Sequence, residues 1–503
     1  MAMRILIPCL LILFHVCGPS NGQSNPKHEM RAVWIATVNN IDWPTKSGLA
    51  VEDQQRELIE LLDLAKDYHL NTIILQVRPA TDAYYPSALE PWSQWLTGIQ
   101  GQAPDPMYDP LVFAIDQCRK RGLDIHLWLN PYRAEMDTAK QALAETHPAK
   151  MHPDWFVTYG RTRYFNPGLQ ETRNHVSRVV AELVRRYDVD AIHMDDYFYP
   201  YRIAGQEFSD SAAFAIDPRG FAPEQKDDWR RDNVDRIIKQ IHDSIQSIKP
   251  YVEFGISPFG VWRNADKDPL GSKTRAGVTN YDDLYADILK WQKEGWIDYV
   301  TPQLYWHIGM EAADYATLAD WWSNNTYGCR LYIGQAWYRI DAESKTPSWQ
   351  SSDEIIRQIN LNRQYPTIRG SMYFSAKSMR TNPLQLKEKL LENHYKTLAL
   401  PPSSHNADQT NTTMPSKASV SKKGKVVNLE WGKTDNGKYY VVYRFGKREV
   451  LNLQNPEKIL MVTGETMVKL EKNRGTNPRK HVYVVSSIDQ WNHESEGVVM
   501  ERR

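Results

Sequence analysis

The segment Asp190-Ala-Ile-His-Met-Asp-Asp-Tyr-Phe-Tyr-Pro-Tyr201 joins a short apolar run to two adjacent acids and a loop rich in aromatic residues. A brief apolar run, here Ala191 to Met194, is typical of a strand buried in a parallel sheet. Such sheets bind ligands beyond the carboxyl ends of their strands, where Asp195 and Asp196 stand. Either acid could instead cap a turn or helix. The four aromatic residues beside the pair favour a ligand site.

Outward from this segment, a unit of one strand-like run and one helical pattern recurs along the chain. The predicted strands are residues 32–37, 71–77, 124–129, 191–194, 253–258, 299–306, 330–334 and 370–375. Eight such units predict a (β/α)8 TIM barrel over residues 29–396, an α/β fold. A doubly wound open sheet is the alternative. It would usually show a glycine-rich turn after the first strand, and Thr37-Val38-Asn39-Asn40 is not one.

The pattern changes after the barrel. Residues 397–414 are rich in Pro, Ser, Asn and Thr and are predicted to be a linker. Residues 415–503 contain runs of period two, such as Val426 to Trp431, and turns such as Asn436-Gly437. They predict a small all-β sandwich of fibronectin type III kind. This part has no acid cluster, so we expect a spacer or a contact with the cell envelope and no catalytic role.

The composition excludes some partners. The 503 residues contain 61 Lys and Arg against 61 Asp and Glu, so net charge gives no reason to expect nucleic acid or an anionic membrane. The 17 Trp and 27 Tyr offer flat faces with a polar edge. Such faces suit sugar rings, although they also fill large cores.

The N-terminus has the features of an export signal. Arg4 precedes an apolar run from Ile5 to Val16, and Ser20-Asn21-Gly22 supplies small residues for cleavage. We therefore predict a signal peptide at residues 1–22 and a periplasmic, cell-surface or secreted protein. Lipidation at Cys17 is the second option.

Several acids are predicted to meet at the mouth of the barrel. Glycoside cleavage needs a proton donor and commonly a second carboxylate. Asp195 and Asp196 are the predicted catalytic residues, while Asp82 and Glu135 are possible partners or simple loop caps. Predicted substrate-binding residues are Arg78, Asn130, Tyr132, Arg133, His193, Tyr197, Gln303, Tyr305, Trp306 and Trp337. Of these, His193 is expected to be a packed, hydrogen-bonded barrel residue rather than a base, and Trp306 and Trp337 could be core residues. No His-x-x-x-His spacing occurs, so we expect neither a metal nor a cofactor.

Five ordered motifs carry a family resemblance. They are residues 30–37 (MRAVWIAT), 75–79 (LQVRP), 128–133 (WLNPYR), 193–200 (HMDDYFYP) and 301–306 (TPQLYW). Together they resemble the glycosyl-hydrolase-like family 10 proteins, which are distinct from the family 10 xylanases. The resemblance covers roughly Glu29 to Tyr395. It implies a bacterial envelope glycosidase acting on peptidoglycan strands stripped of their peptides, with the catalytic role on Asp195 and Asp196.

That substrate class leaves two mechanisms open. An N-acetyl sugar can use its own acetamido oxygen as nucleophile, so that one acid orients this group and the other protonates the leaving oxygen. A pair of acids from separate loops is the alternative. Two other functions also remain: a surface protein that binds glycan without cutting it, and a glycosidase for dietary or host polysaccharide.

Overall fold

The computed structural model describes residues 25–139, 142–404, 412–471, 473 and 475–503. The predicted signal peptide and Cys17 lie outside the described residues, and so does part of the predicted linker. Within the described ranges, none of the helices combines the length and the apolar character needed to cross a membrane. Cys118 and Cys329 are free thiols.

Eight parallel strands close into a barrel, which confirms the predicted fold. In barrel order by sequence they are β1 (Met30–Ile35), β2 (Thr72–Arg78), β3 (Asp124–Leu129), β7 (Ala191–Met194), β8 (Glu253–Ile256), β9 (Tyr299–Val300), β10 (Arg330–Ala336) and β11 (Ile368–Phe374). The ring closes where β11 pairs with β1. A small antiparallel sheet of β4 (Arg133–Glu135), β5 (Phe156–Tyr159) and β6 (Thr162–Phe165) is inserted after β3.

Helices connect these strands. They are α1 (Val51–Asp67), α2 (Gln94–Thr97), α3 (Pro110–Arg121), α4 (Pro148–Met151), α5 (Gln170–Arg186), α6 (Ser211–Ile216), α7 (Lys226–Ile248), α8 (Asn280–Asp283), α9 (Ile288–Lys293), α10 (Tyr315–Ser323), α11 (Asp353–Asn362), α12 (Ala376–Thr381) and α13 (Leu386–Asn393). Helix α3 illustrates how capping residues in the sequence mark the two ends of a helix. Asp109 accepts hydrogen bonds from the amides of Leu111 and Val112, and Gly122 ends the helix at φ 62°.

Two predicted elements are corrected by the structure. The sixth strand ends at Val300 and not at Trp306, because Pro302 has no amide hydrogen to continue the ladder. The helix expected from Tyr281 to Glu294 is two short helices. The break lies at Tyr285, whose φ of 54° is left-handed, and Asp287 caps the second helix.

The C-terminal residues form two four-stranded sheets with their own apolar cores. One sheet has the order β16 (Met467–Glu471), β13 (Val426–Gly432), β12 (Ser416–Lys423) and β19 (Glu501–Arg502). The other has the order β15 (Ile459–Thr463), β14 (Tyr439–Gly446), β17 (His481–Ile488) and β18 (Val498–Val499). The Tyr483 hydroxyl donates to the Thr476 carbonyl at 2.8 Å. The assignment to the fibronectin type III class stays a prediction.

The two parts of the chain meet through buried polar groups. The Lys438 ammonium lies 2.9 Å from Asp124 and 2.8 Å from Asp190, two acids at the amino ends of barrel strands or just before them. The Tyr439 hydroxyl donates to the carbonyl of Leu123 at 2.5 Å. The first residues of the predicted linker are also packed, because Leu400 exchanges backbone hydrogen bonds with Lys27 and Glu29.

Candidate active site

Asp195 directly follows β7 and is held by donors from β3 and the loop behind it. The Trp128 indole donates to its Oδ2 at 2.9 Å, and the Asn130 amide lies 3.2 Å from both carboxylate oxygens. The backbone amide of Tyr197 donates to Oδ1 at 3.3 Å. Burial raises the pKa of Asp195, while Arg133, Trp128 and Asn130 oppose that rise. The carboxylate is therefore fixed in orientation and favoured in its charged form by its partners.

Asp196 has a different environment. It is 4% exposed, and the Tyr201 hydroxyl donates to its Oδ2. Burial and the neighbouring charge of Asp195 raise its pKa to about 6. Its carboxyl group therefore takes up a proton at a higher pH than an ordinary aspartate does. The two adjacent acids thus have different partners, because an indole and an amide donate to Asp195 whereas a tyrosine hydroxyl donates to Asp196.

Arg133 and Tyr197 flank the pair. The Arg133 guanidinium lies 4.3 Å from the centre of the Tyr197 ring, and its backbone amide donates to Asn130 Oδ1 at 2.8 Å. The same Asn130 side chain therefore links Arg133 to Asp195. The Gln303 side-chain amide donates to the Ser257 carbonyl at 2.8 Å, and this bond fixes the Gln303 side chain beside Asp196.

Partly exposed aromatic rings extend the candidate site outward from Tyr201. The Trp306 ring meets Phe259 edge-on with centroids 5.4 Å apart, and Phe259 meets Tyr201 at 6.1 Å. Tyr305 contacts Tyr338, which is 48% exposed, at 5.9 Å. These rings provide apolar faces with polar edges, which suit sugar rings.

Five of the predicted substrate-binding residues are completely buried: Arg78, Asn130, Tyr132, His193 and Trp337. Trp337 stacks on Tyr373 with centroids 4.0 Å apart, so it is a core residue. Arg78 forms a two-pronged ion pair with Glu90 at 2.6 and 2.7 Å and donates to the carbonyl of Asn130. Burial would raise the pKa of Glu90, but Arg78 and His175 lower it to about 2. Arg78 thus positions the backbone of Asn130 from inside the protein.

His193 belongs to a hydrogen-bonded chain inside the barrel. Its Nδ1 lies 2.9 Å from the Tyr299 hydroxyl, and its Nε2 lies 3.0 Å from the Ser257 hydroxyl. Burial lowers its pKa well below the ordinary value. Both ring nitrogens therefore serve the packing of the barrel, the alternative that the sequence had left open.

The two possible partner acids lie in separate settings. Asp82 is fully buried, accepts from the Ala80 amide at 3.2 Å, and has a pKa raised to about 7 by burial. Glu135 pairs with Arg163 at 2.9 Å in the inserted sheet. Burial raises the pKa of Glu135, and Arg163 opposes that rise. Neither of these contacts involves Asp195 or Asp196.

Sequence reasoning missed several participants. Trp128 and Tyr201 donate hydrogen bonds to the two aspartates, yet neither was among the candidates, although Trp128 lies in the motif 128–133 and Tyr201 ends the opening segment. Alternation along β3 could have found Trp128, because it shares a strand face with Asn130. Phe259 and Tyr338 had no sequence signal, since they approach from other loops.

The described part of the chain contains no group of three or more His, Cys, Asp or Glu side chains that could hold a metal ion. The chemistry available to these residues is that of carboxyl groups, hydroxyls, amides and one guanidinium.

A closed (β/α)8 barrel with paired carboxyl groups and aromatic rings beyond its strand ends defines a glycoside hydrolase-like enzyme. The family model described as "Glycosyl hydrolase-like 10" matches residues 29–351, so this chain belongs to that family and is a glycoside hydrolase.

Comparison with known proteins supports the same family assignment. The chain is 46% identical over 502 residues to the glycosyl hydrolase YngK of Bacillus subtilis, covering 98% of this chain and 97% of that protein. It is 39% identical over 367 residues to the glycosyl hydrolase DigH of Escherichia coli K12, covering 69% of this chain and 82% of that protein. Among solved structures, the PgaB glycoside hydrolase domain from Bordetella bronchiseptica shares the fold, with a TM-score of 0.50 and 11% identity. This match covers 74% of the present chain and 100% of that domain.

Proposed function

We propose that this glycoside hydrolase is exported and cleaves N-acetylated, peptide-free glycan strands of the bacterial envelope. The observation that carries the proposal is the pair Asp195 and Asp196, adjacent in sequence but placed in different environments. The signal-like N-terminus supports export. The five motifs support the envelope substrate.

The two acids take different roles. Asp196, whose pKa is raised to about 6, gives its proton to the glycosidic oxygen as the bond to the anomeric carbon breaks. We assign the anionic role to Asp195, because burial raises its pKa but Arg133, Trp128 and Asn130 oppose that rise. The carboxylate oxygens of Asp195 accept a hydrogen bond from the N–H of the sugar's acetamido group. The acetamido oxygen then attacks the anomeric carbon and forms a cyclic intermediate.

Water completes the reaction. It adds to the anomeric carbon, Asp196 as the carboxylate accepts the water proton, and the acetamido group is regenerated. This scheme needs no third carboxylate, in agreement with the separate settings of Asp82 and Glu135. The aromatic rings of Tyr305 and Trp306 pack against the faces of neighbouring sugars.

The substrate is tested by incubating the enzyme with three glycans, namely peptide-free peptidoglycan, chitin oligomers and plant polysaccharides, followed by mass analysis. We expect cleavage of the N-acetylated strands alone. Cleavage restricted to plant polysaccharides would support the dietary alternative, and tight binding without any product would support the non-cutting one. N-terminal sequencing of the native protein tests export: Gln23 is expected, whereas a lipid-modified Cys17 would establish the lipoprotein alternative.

A further inference from the structure

The two ends of the C-terminal sheets differ strongly in charge. We define the distal turns as residues 422–425, 447–458 and 475–480, and the barrel-facing turns as residues 433–438, 464–466 and 489–496. By sequence, the distal turns contain 8 Lys and Arg against 2 Asp and Glu. The barrel-facing turns contain 2 against 5. The overall balance of charge therefore conceals a local asymmetry.

Strand pairing places the distal turns together at one end of the sheets. Gly446 pairs with His481, so residues 447–458 and 475–480 leave the sheets at that end. Val426 pairs with Glu471, which brings the 422–425 hairpin to the same end. At the opposite end, Lys438 contacts Asp124, and Asn492 donates to the same acid at 3.1 Å. Pro456 and Glu457 fold back to line a cavity with Lys66 and His69 of the barrel, whereas residues 447–451 remain exposed.

The distal turns also expose apolar side chains. Val450 is 83% exposed, Leu451 is 41% exposed and Val426 is 38% exposed. Val450 and Leu451 follow Lys447 and Arg448 directly.

The carboxylate of Glu449, the acid within this run, binds partners at the two ends of its own loop. Its carboxylate accepts from the Gly446 amide at 2.8 Å and pairs with Lys458. The positive charge of Lys447 and Arg448 therefore faces solvent beside two apolar side chains.

We infer that the distal turns bind an anionic phospholipid surface. Lysine and arginine near such a surface are attracted by its negative potential, and apolar side chains that enter the headgroup region add to the binding. Both components occur here on the same loops. A purely electrostatic contact with a soluble polyanion would make no use of Val450 and Leu451. The surface would hold the exported enzyme at a membrane with its barrel mouth free, independently of which glycan it cleaves.

The test is co-sedimentation of the full chain with phosphatidylcholine vesicles, with and without about one-third phosphatidylglycerol. Binding is expected only with the anionic lipid, and it should weaken between about 0.1 M and about 0.5 M salt. Lys447→Glu with Arg448→Glu, and separately Val450→Asp with Leu451→Asp, should each weaken binding by at least about tenfold. Turnover of a soluble glycan should not change in either variant, which separates this surface from the active site.

The matched control is Arg178→Glu with Arg185→Glu, two exposed arginines on α5 of the barrel, which should leave vesicle binding unchanged. Circular dichroism of each variant confirms that it is folded. Absence of vesicle binding by the wild-type chain would overturn the inference. Binding that survives Val450→Asp with Leu451→Asp but is abolished by soluble polyphosphate would also overturn it and indicate a polyanion site.

Discussion

Trp128 donates its indole hydrogen to Oδ2 of Asp195 at 2.9 Å, across the neighbouring strands β3 and β7. The contact joins a rigid barrel strand to the first residue beyond another strand. A carboxylate held by strands is positioned more precisely than one held by loops. The relationship suggests that the orientation of Asp195 is as important as its charge.

The first prediction concerns this contact. Trp128→Phe keeps an aromatic ring but removes the donor, so Asp195 loses one bond to its charged form and its pKa rises. A hydrogen bond to a charged group contributes about 1.5 to 3 kcal/mol, which corresponds to a loss of about 10- to 100-fold in kcat. Steady-state kinetics on a defined N-acetylated oligosaccharide measures it. Trp431→Phe in the C-terminal sheets is the control, and equal rates in both variants would refute a role for the contact.

The second prediction is a shift in the pH profile. Asp196 must be protonated to act as the acid, so activity should fall as pH rises through about 6. The Tyr201 hydroxyl stabilises the charged form of Asp196 and lowers its pKa. Tyr201→Phe should therefore move the alkaline limb of kcat to higher pH. A limb that stays in place, or moves to lower pH, would show that Asp196 is not the titrating acid.

The third prediction separates two tryptophans that looked alike in sequence. Trp306 is partly exposed and packs against Phe259, whereas Trp337 is buried against Tyr373. Trp306→Ala should raise KM by about 3- to 10-fold with little loss of stability, since an aromatic contact contributes about 0.5 to 1.5 kcal/mol. Trp337→Ala should lower the free energy of unfolding by about 3 to 5 kcal/mol. Kinetics and urea denaturation on both variants decide the matter, and the reverse pattern would contradict the structure.

The fourth prediction concerns the junction between the two parts of the chain. The Lys438 side chain is 2% exposed and lies between Asp124 and Asp190. Lys438→Met would leave two buried acids with less compensation, at a cost of about 3 to 5 kcal/mol. Chemical denaturation measures this loss. Lys433→Met, an exposed position in the same turn, is the control. If the two variants are equally stable, the junction contributes little to folding.

The sequence predicted the barrel because its strands are buried on both faces and end at polar loops, a pattern that local composition records. It also located Asp195 and Asp196, since they follow β7 directly. It did not anticipate the complete burial of Arg78, and it could not name the partners of Arg78 or of His193, for which a packed role had been considered. Their partners, Glu90 and Tyr299, come from distant segments that periodicity cannot bring together. The early end of β9 was missed for a similar reason, because Thr301–Trp306 has strand-like composition but Pro302 interrupts the ladder.

The most direct test of the central claim is the turnover of Asp195→Asn and Asp196→Asn on a natural glycan and on an aryl glycoside whose leaving group needs no proton. We expect both variants to lose at least about 100-fold in kcat on the glycan, with KM nearly unchanged. On the aryl glycoside, Asp196→Asn should recover much of its formation of the cyclic intermediate, because protonation is no longer required. Asp195→Asn should not recover, because it cannot hold the acetamido group as an anion does. Wild-type rates for both variants on the natural glycan would contradict the assignment of the chemistry to this pair.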